Sequence, residues 1–511
     1  MKQTCLYLFF IPLFLASCSS ETMEVPEQKQ DFCASIHRDS STTLSKELEP
    51  VAELMKDKTG VYVLEDGDGS MVTRAWLSEY AEETIDIQYF IFSTDNVGLI
   101  ACDYLVRAAD RGVKVRILVD DIMVEAGVHE ILTMDSHENI SIKIYNPGVN
   151  LGKNIAQKLM KFNKDFAGAN RRMHNKTFTV DGKVSITGGR NIADEYFDYD
   201  HEYNFRDRDV LLVGKASKSI EGSFEEFWND SLSVPVTHLV EEPGNDFKAK
   251  DKFERLHQYA CNPENFWPQV REKIKNLPAA FKAIQHSGEL VWLDTVEFVS
   301  DIPGKFIRKD GKISGGVTTL ALIDLIKNAK TSVDIQSPYL ITTELGEGLF
   351  RDAVKRGVKV RILTNSLSST DNLEAFAGYQ KCRKTLLETG IRIFEFRPDA
   401  ANRFKIMTGA LQKKLNYAPI FGLHAKSMVV DGHTTVIGTF NLDPRSATFN
   451  TECFAVVHST KISEGVLKQM EEDYKPENSW ETTLSFNPDD KAGTKKQVGA
   501  TLRKLVPKKI L

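Results

Sequence analysis

Two histidine–lysine pairs carry the residue types that chemistry needs: His174 with Lys176, closed by Asp181, and His424 with Lys426, closed by Asp431. Each is followed at the same offset by a glycine-to-asparagine run, Gly188-Gly-Arg-Asn191 and Gly438-Thr-Phe-Asn441. On a strand, residues i and i+2 share a face, so each imidazole projects with its ammonium. Such a set suits exchange at a phosphodiester. One imidazole attacks phosphorus and holds it as a phosphohistidine. The other protonates the departing oxygen and then takes the proton of the incoming alcohol or water. The two ammoniums, with Asn191 and Asn441, would hold the non-bridging oxygens as charge builds. No carboxylate cluster at metal-ligand spacing accompanies them, so this reading requires no metal or other cofactor. A lone His-x-Lys is equally well an exposed strand face; two copies with matching sequels are not.

The elements around these residues are also duplicated. Ile85-Asp-Ile-Gln-Tyr89 returns as Val333-Asp-Ile-Gln-Ser337, and Arg111 to Leu118 returns unchanged as Arg356 to Leu363. All three repeats recur at about 250 residues with order kept, which means two duplicated domains and not a solenoid. Ile85–Ile91 alternates like a strand, Leu99–Ala109 has helical spacing, and Val113–Val119 is a β-branched strand after Gly112. This β-α-β order predicts a largely parallel sheet covered by helices. Lys176–Val180 and Lys183–Thr187 read as a hairpin about Asp181-Gly182, and Asp431-Gly432 places the same turn in the second copy. Residues 235–300 have no partner in the other half. Their proline-led helical patterns, Pro268–Ile274 and Pro278–Gln285, read as a connection.

The doubled H-x-K-x4-D pattern with its G-x-x-N sequel resembles the phospholipase D superfamily. Wider blocks are similar to bacterial cardiolipin synthases of the C type: Arg171 to Gly182, Gly188 to Ile192, Leu363 to Leu367, Leu423 to Lys426, Asn441 to Ser446 and Asn450 to Glu452. The resemblance implies two α/β/α sandwich domains about a pseudo-two-fold axis, with both motifs meeting in one shared site. It implies His174 as nucleophile and His424 as general acid/base. It also implies a carboxylate on a later strand against each histidine. The matching positions are Asp207 and Glu452, with Asp209 competing for the role of Asp207. Asp181 and Asp431 are expected to organise the hairpins.

The activity implied is phosphatidyl transfer to a lipid alcohol such as phosphatidylglycerol, forming cardiolipin, with phosphatidylethanolamine a further candidate donor. A hydrolytic phospholipase D, in which water takes the second step, uses the same residues. A nuclease fits less well. Lys plus Arg number 65 against Asp plus Glu 71, a formal charge of −6, and no stacking motif is present, so no nucleic-acid partner is expected. A monomer suffices, since the duplication completes one site.

The chain opens with a Lys and an apolar run from Cys5 to Ala16, too short to span a bilayer, ending in Leu15-Ala16-Ser17-Cys18. This resembles a lipoprotein signal (1–17) cut before a lipidated Cys18. A polar tether (18–45) would then hold the protein at the bacterial envelope, the outer membrane being favoured by Ser19 and the inner membrane the alternative. The domains are expected at 46–234 and 301–475 about the connection at 235–300, with a basic C-terminal tail over 476–511. Excluding Cys5 and Cys18 leaves Cys33, Cys102, Cys261, Cys382 and Cys453, an odd and widely spaced set that predicts no disulfide framework. Lipid contact is a further expectation for the amphipathic stretch Lys153–Phe166, for Arg403–Tyr417 and for the basic tail. A core-packed helix and a frayed tail are the plainer alternatives.

Overall fold

The computed structural model describes residues 31–36, 41–121, 128–148, 171–239, 249–305, 316–406 and 419–504. The signal, Cys18, the stretch Lys153–Phe166 and residues 407–418 with Lys413 and Lys414 lie outside these.

Each copy builds one mixed sheet. In the first, the strands Thr84–Tyr89, Lys114–Asp120 and Ile140–Tyr145 run parallel, linked through helix Asn96–Asp110 and helix Val128–Asp135. In the second, Ser332–Gln336, Lys359–Asn365 and Arg392–Phe396 repeat this through helices Glu344–Lys355 and Leu373–Glu388. All other neighbours within the two large sheets are antiparallel, which corrects the largely parallel expectation. The cause lies in the motif strands. A tight turn can only reverse the chain, whereas parallel neighbours need a crossover of a dozen residues or more. Asp181 and Gly182 (φ +52° and +58°) and Asp431 and Gly432 (+54° and +64°) make these turns with two successive left-handed residues.

From the motif hairpin outward the two sheets have the same order. Thr177–Val180, Val184–Gly188 and Asp209–Gly214 in the first match Ser427–Val430, Thr434–Gly438 and Cys453–His458 in the second. Nearly all residues of these strands are buried, on both faces. Leu211 and Val213 face the core of their own domain, with helices Gly67–Tyr80 and Asn96–Asp110. Val210 and Leu212 join Val429, Ile437, Ala455 and Val457 in one apolar cluster between the domains. Alternation along a strand thus assigns one face to the domain core and the other to the interface.

Three boundaries differ from the sequence reading. The connection is not only helical: Val291–Leu293 joins the edge of the first sheet and Val296–Ser300 the edge of the second. Beyond the second domain, Ser479–Thr482 pairs with Arg392–Phe396, and helix Thr494–Arg503 packs on Leu373–Glu388. Most of the expected tail is therefore structure, because the strand needs a partner for its backbone groups and finds the sheet edge. The tether expectation fails over its later part as well. Phe32 is buried against Phe266, and Cys33 and Cys261 form a disulfide across 228 positions. An odd count concealed one true pair, while Cys102, Cys382 and Cys453 take part in no disulfide.

Candidate active site

Parallel pairing across the domain boundary brings each histidine to an acid of the other copy. Ile420–Leu423 pairs with Tyr203–Arg206, with Leu423 opposite Arg206. The next residues, His424 and Asp207, therefore stand side by side, Nδ1 to Oδ2 2.6 Å. On the opposite side Met173 bridges Thr451 in the same parallel sense, and the next residues are His174 and Glu452, Nδ1 to Oε2 2.8 Å. The amides of His424 and His174 donate to the carbonyls of Arg206 and Thr451, at 2.8 and 3.0 Å, so backbone geometry fixes both pairs. Asp209 does not compete. The register places Asp207 at His424, and Asp209 accepts from Ser70 Oγ and Arg74 Nη2 at 2.7 and 3.0 Å.

Both histidines, both lysines and both acids are buried. Burial, with the nearby ammoniums, pushes His174 down to about 4 and His424 to about 3, against the pull of Glu452 and Asp207. Both values keep each imidazole neutral near pH 7. Its Nδ1–H is held by the carboxylate, which fixes the tautomer and leaves Nε2 as the basic nitrogen. Burial alone would raise Glu452 and Asp207, yet the paired histidines hold both below the usual carboxylate range. Burial brings Lys176 to about 7, helped by Lys426, and brings Lys426 to about 8. Two buried ammoniums in each other's field are a preformed place for an anion.

The lysines differ in their contacts. Lys176 Nζ donates to the carbonyl of His174 at 2.9 Å. Lys426 Nζ sits 2.9 Å from both ring nitrogens of His424 and also reaches its carbonyl. Aromatic walls complete the surroundings: Phe90 lies edge-on to His174 (5.0 Å between centroids), and Tyr196 and Phe205 lie 5.1 and 4.7 Å from His424.

The asparagines are not equivalent. Asn191 accepts from the Ile91 amide and donates to the Tyr196 hydroxyl, at 3.0 and 2.8 Å, so its amide braces the wall beside His424. Asn441, 5% exposed, leaves Oδ1 without a hydrogen-bond partner. Asp181 and Asp431 stand away from the histidines. Asp181 accepts from the amides of Glu82, Glu83 and Thr84, and Asp431 from those of Lys330, Thr331 and Ser332.

Sequence reasoning missed the supports of the acids. Arg206 and Arg208, both fully buried, flank Asp207. Arg206 meets Glu65 at 2.8 Å and Asp473 at 3.5 Å, while Arg208 meets Glu65, Gln336 and Ser427. Glu452 is held through its amide by Asp301, which pairs with buried Lys305. The Arg-Asp-Arg-Asp run was the available signal for the first network, since alternating charges among apolar strands need buried partners. Among the described residues, the His, Cys and acid clusters close enough to share an ion lie around Cys261, whose sulfur is in the disulfide.

Residues 78–228 and 322–474 each match the domain family described as "Cardiolipin synthase, PLD-like domain". The chain is 31% identical over 424 residues to cardiolipin synthase C of Escherichia coli strain K12, covering 82% of this chain and 86% of that protein. It is 33% identical over 404 residues to an uncharacterized protein of Helicobacter pylori strain 26695, covering 78% and 77%. Its fold is similar to the crystal structure of a phosphatidylserine synthase from Haemophilus influenzae, with a TM-score of 0.57, 13% identity and coverage of 91% of this chain and 100% of that one. Two motif copies that close on one set of paired histidines thus sit on two copies of one family domain, and the chain belongs to the cardiolipin synthase, PLD-like domain family as an enzyme of the phospholipase D family.

Proposed function

We propose that the protein is a phospholipid phosphatidyltransferase that forms cardiolipin through a phosphatidyl-histidine intermediate. The observation that carries this reading is the crossed pairing, His174–Glu452 and His424–Asp207, around two buried lysines. His174 Nε2 attacks phosphorus, the P–O bond to the headgroup alcohol breaks, and His424 as imidazolium gives its proton to the departing oxygen. An acceptor alcohol such as phosphatidylglycerol then loses its proton to His424 and displaces His174. The anionic phosphodiester offsets the ammonium charge beside His424 and raises its affinity for that proton. Lys176, Lys426 and Asn441 hold the non-bridging oxygens. The contacts of the lysines favour His174 as nucleophile. Lys426 Nζ lies 2.9 Å from Nε2 of His424 as well as on its carbonyl, whereas Lys176 contacts His174 at its carbonyl.

The disulfide supports a place outside the cytoplasm, since such bonds persist in oxidising compartments. It agrees with a chain anchored at the envelope through lipidated Cys18. Purified protein given labelled phosphatidylglycerol, with and without phosphatidylethanolamine, is the direct test. Cardiolipin as main product is expected; phosphatidic acid alone would replace transfer by hydrolysis.

A further inference from the structure

The loop from Asn365 to Asn372, between strand Lys359–Asn365 and helix Leu373–Glu388, is fixed from three directions. Asn365 exchanges two hydrogen bonds of 2.8 Å with the backbone of Leu423, the residue before His424. Tyr203 of the first domain donates its hydroxyl to the Ser369 carbonyl. Lys496, from the C-terminal helix, donates to the carbonyls of Ser368 and Thr370 at 2.8 and 2.9 Å. A loop so restrained holds whatever it presents in one place.

It presents Asp371. The Tyr339 hydroxyl donates to its Oδ2 at 2.8 Å. Solvent reaches this carboxylate although protein atoms crowd it, and that crowding raises its carboxyl above the ordinary value. Tyr203, which anchors the loop at Ser369, lies 5.0 Å from the Phe205 ring, and Phe205 lies 4.7 Å from His424, so the loop that carries Asp371 borders the His424 side of the site, and its charge is felt at Lys426. In the proposed transfer, alcohols leave and arrive on that side, because His424 handles their proton. A carboxylate there repels the phosphate group itself, which belongs to Lys176 and Lys426. It attracts N–H or O–H donors carried beyond the phosphate.

The geometry points to Asp371, oriented by Tyr339, as the group that reads the alcohol's headgroup through its ammonium or hydroxyl donors. The assignment rests on the transfer reading above.

The test compares phosphatidylethanolamine, phosphatidylglycerol and phosphatidylmethanol, whose methyl headgroup carries no donor, with wild type, Asp371→Asn and Tyr339→Phe. The wild type should favour a donor-bearing headgroup over methanol in kcat/KM. Asp371→Asn should cut that ratio about tenfold, as loss of one charge-assisted hydrogen bond does, and Tyr339→Phe should cut it less. A fall confined to phosphatidylethanolamine identifies an ammonium as the partner, and one confined to phosphatidylglycerol a polyol. An equal loss on all three lipids, no wild-type preference, or a preference both variants retain would overturn the assignment while leaving transfer intact. A wild type inactive on every lipid would overturn the transfer reading and this assignment with it.

Discussion

His424 and Asp207 are 217 positions apart in the chain and belong to different copies of the duplicated domain, yet Nδ1 and Oδ2 lie 2.6 Å apart. Because Glu452 reaches back to His174 in the same way, neither domain holds a complete dyad. Asp207→Asn and Glu452→Gln should each lower kcat by about 10³–10⁴, since the amide no longer fixes the Nδ1–H tautomer or stabilises imidazolium. Steady-state kinetics with unchanged thermal unfolding would check this. Loss of less than tenfold in both would show that the pairs are structural.

The two histidines should separate when the leaving group needs no proton. With a p-nitrophenyl phosphodiester, His174→Ala should show no burst of p-nitrophenol. His424→Ala should keep the burst while its turnover falls about 10²–10⁴. A burst from His174→Ala but not from His424→Ala would reverse the proposed roles.

The lowered lysines give anion binding a pH dependence with a definite sign. Lys176 and Lys426 are charged below about 7 and about 8 and lose their protons above. Sulfate, whose own charge is constant over this range, should inhibit best below pH 7 and progressively less towards pH 9. Bound anion raises both lysines, so its loss begins somewhat above these values. A sulfate Ki that is flat from pH 6 to 9 would exclude the lysines as its site.

Reduction should detach the N-terminal segment without dismantling the site. The Cys33–Cys261 bond closes a loop of 228 positions, and its removal by Cys33→Ser should cost about 2–5 kcal/mol of unfolding free energy. Denaturant melts with and without reductant would show it, the variant being insensitive to reductant. Equal midpoints for oxidised wild type and variant would mean that the bond does not form.

Asp431 should matter for stability and not for turnover. Its carboxylate lies below the ordinary range because the backbone amides of Thr331, Ser332 and Lys330 outweigh its desolvation. Its stabilisation is present at neutral pH and disappears as pH falls through that lowered value. Asp431→Ala should lose about 0.5–1.5 kcal/mol in urea unfolding at pH 7, since water can replace part of what the carboxylate supplies, with the gap to wild type narrowing in acid. A loss of kcat with unchanged stability would instead place Asp431 in the chemistry.

Adjacent residues dictate what happens within one strand or turn. His174 and Lys176 share a face through a period of two, Asp181-Gly182 demands a turn with two left-handed residues, and the repeat fixes two domains of the same order. These are local constraints, written in adjacent residues. Whether Asp207 or Asp209 meets His424 was open, because both lie in the same Arg-Asp-Arg-Asp run. Only the register of Tyr203–Arg206 against Ile420–Leu423 decided it. Long-range packing likewise makes the acids cross between domains and brings Cys33 to Cys261, and the local fold turns Asn191 onto Tyr196. The acid pairs and the disulfide depend on where distant segments come to rest. For the acid pairs that is set by burial of the apolar interface around Val210, Val429 and Ala455, and for the disulfide by the core that buries Phe32 against Phe266. Burial is a non-directional force that leaves no spacing signature in either segment alone.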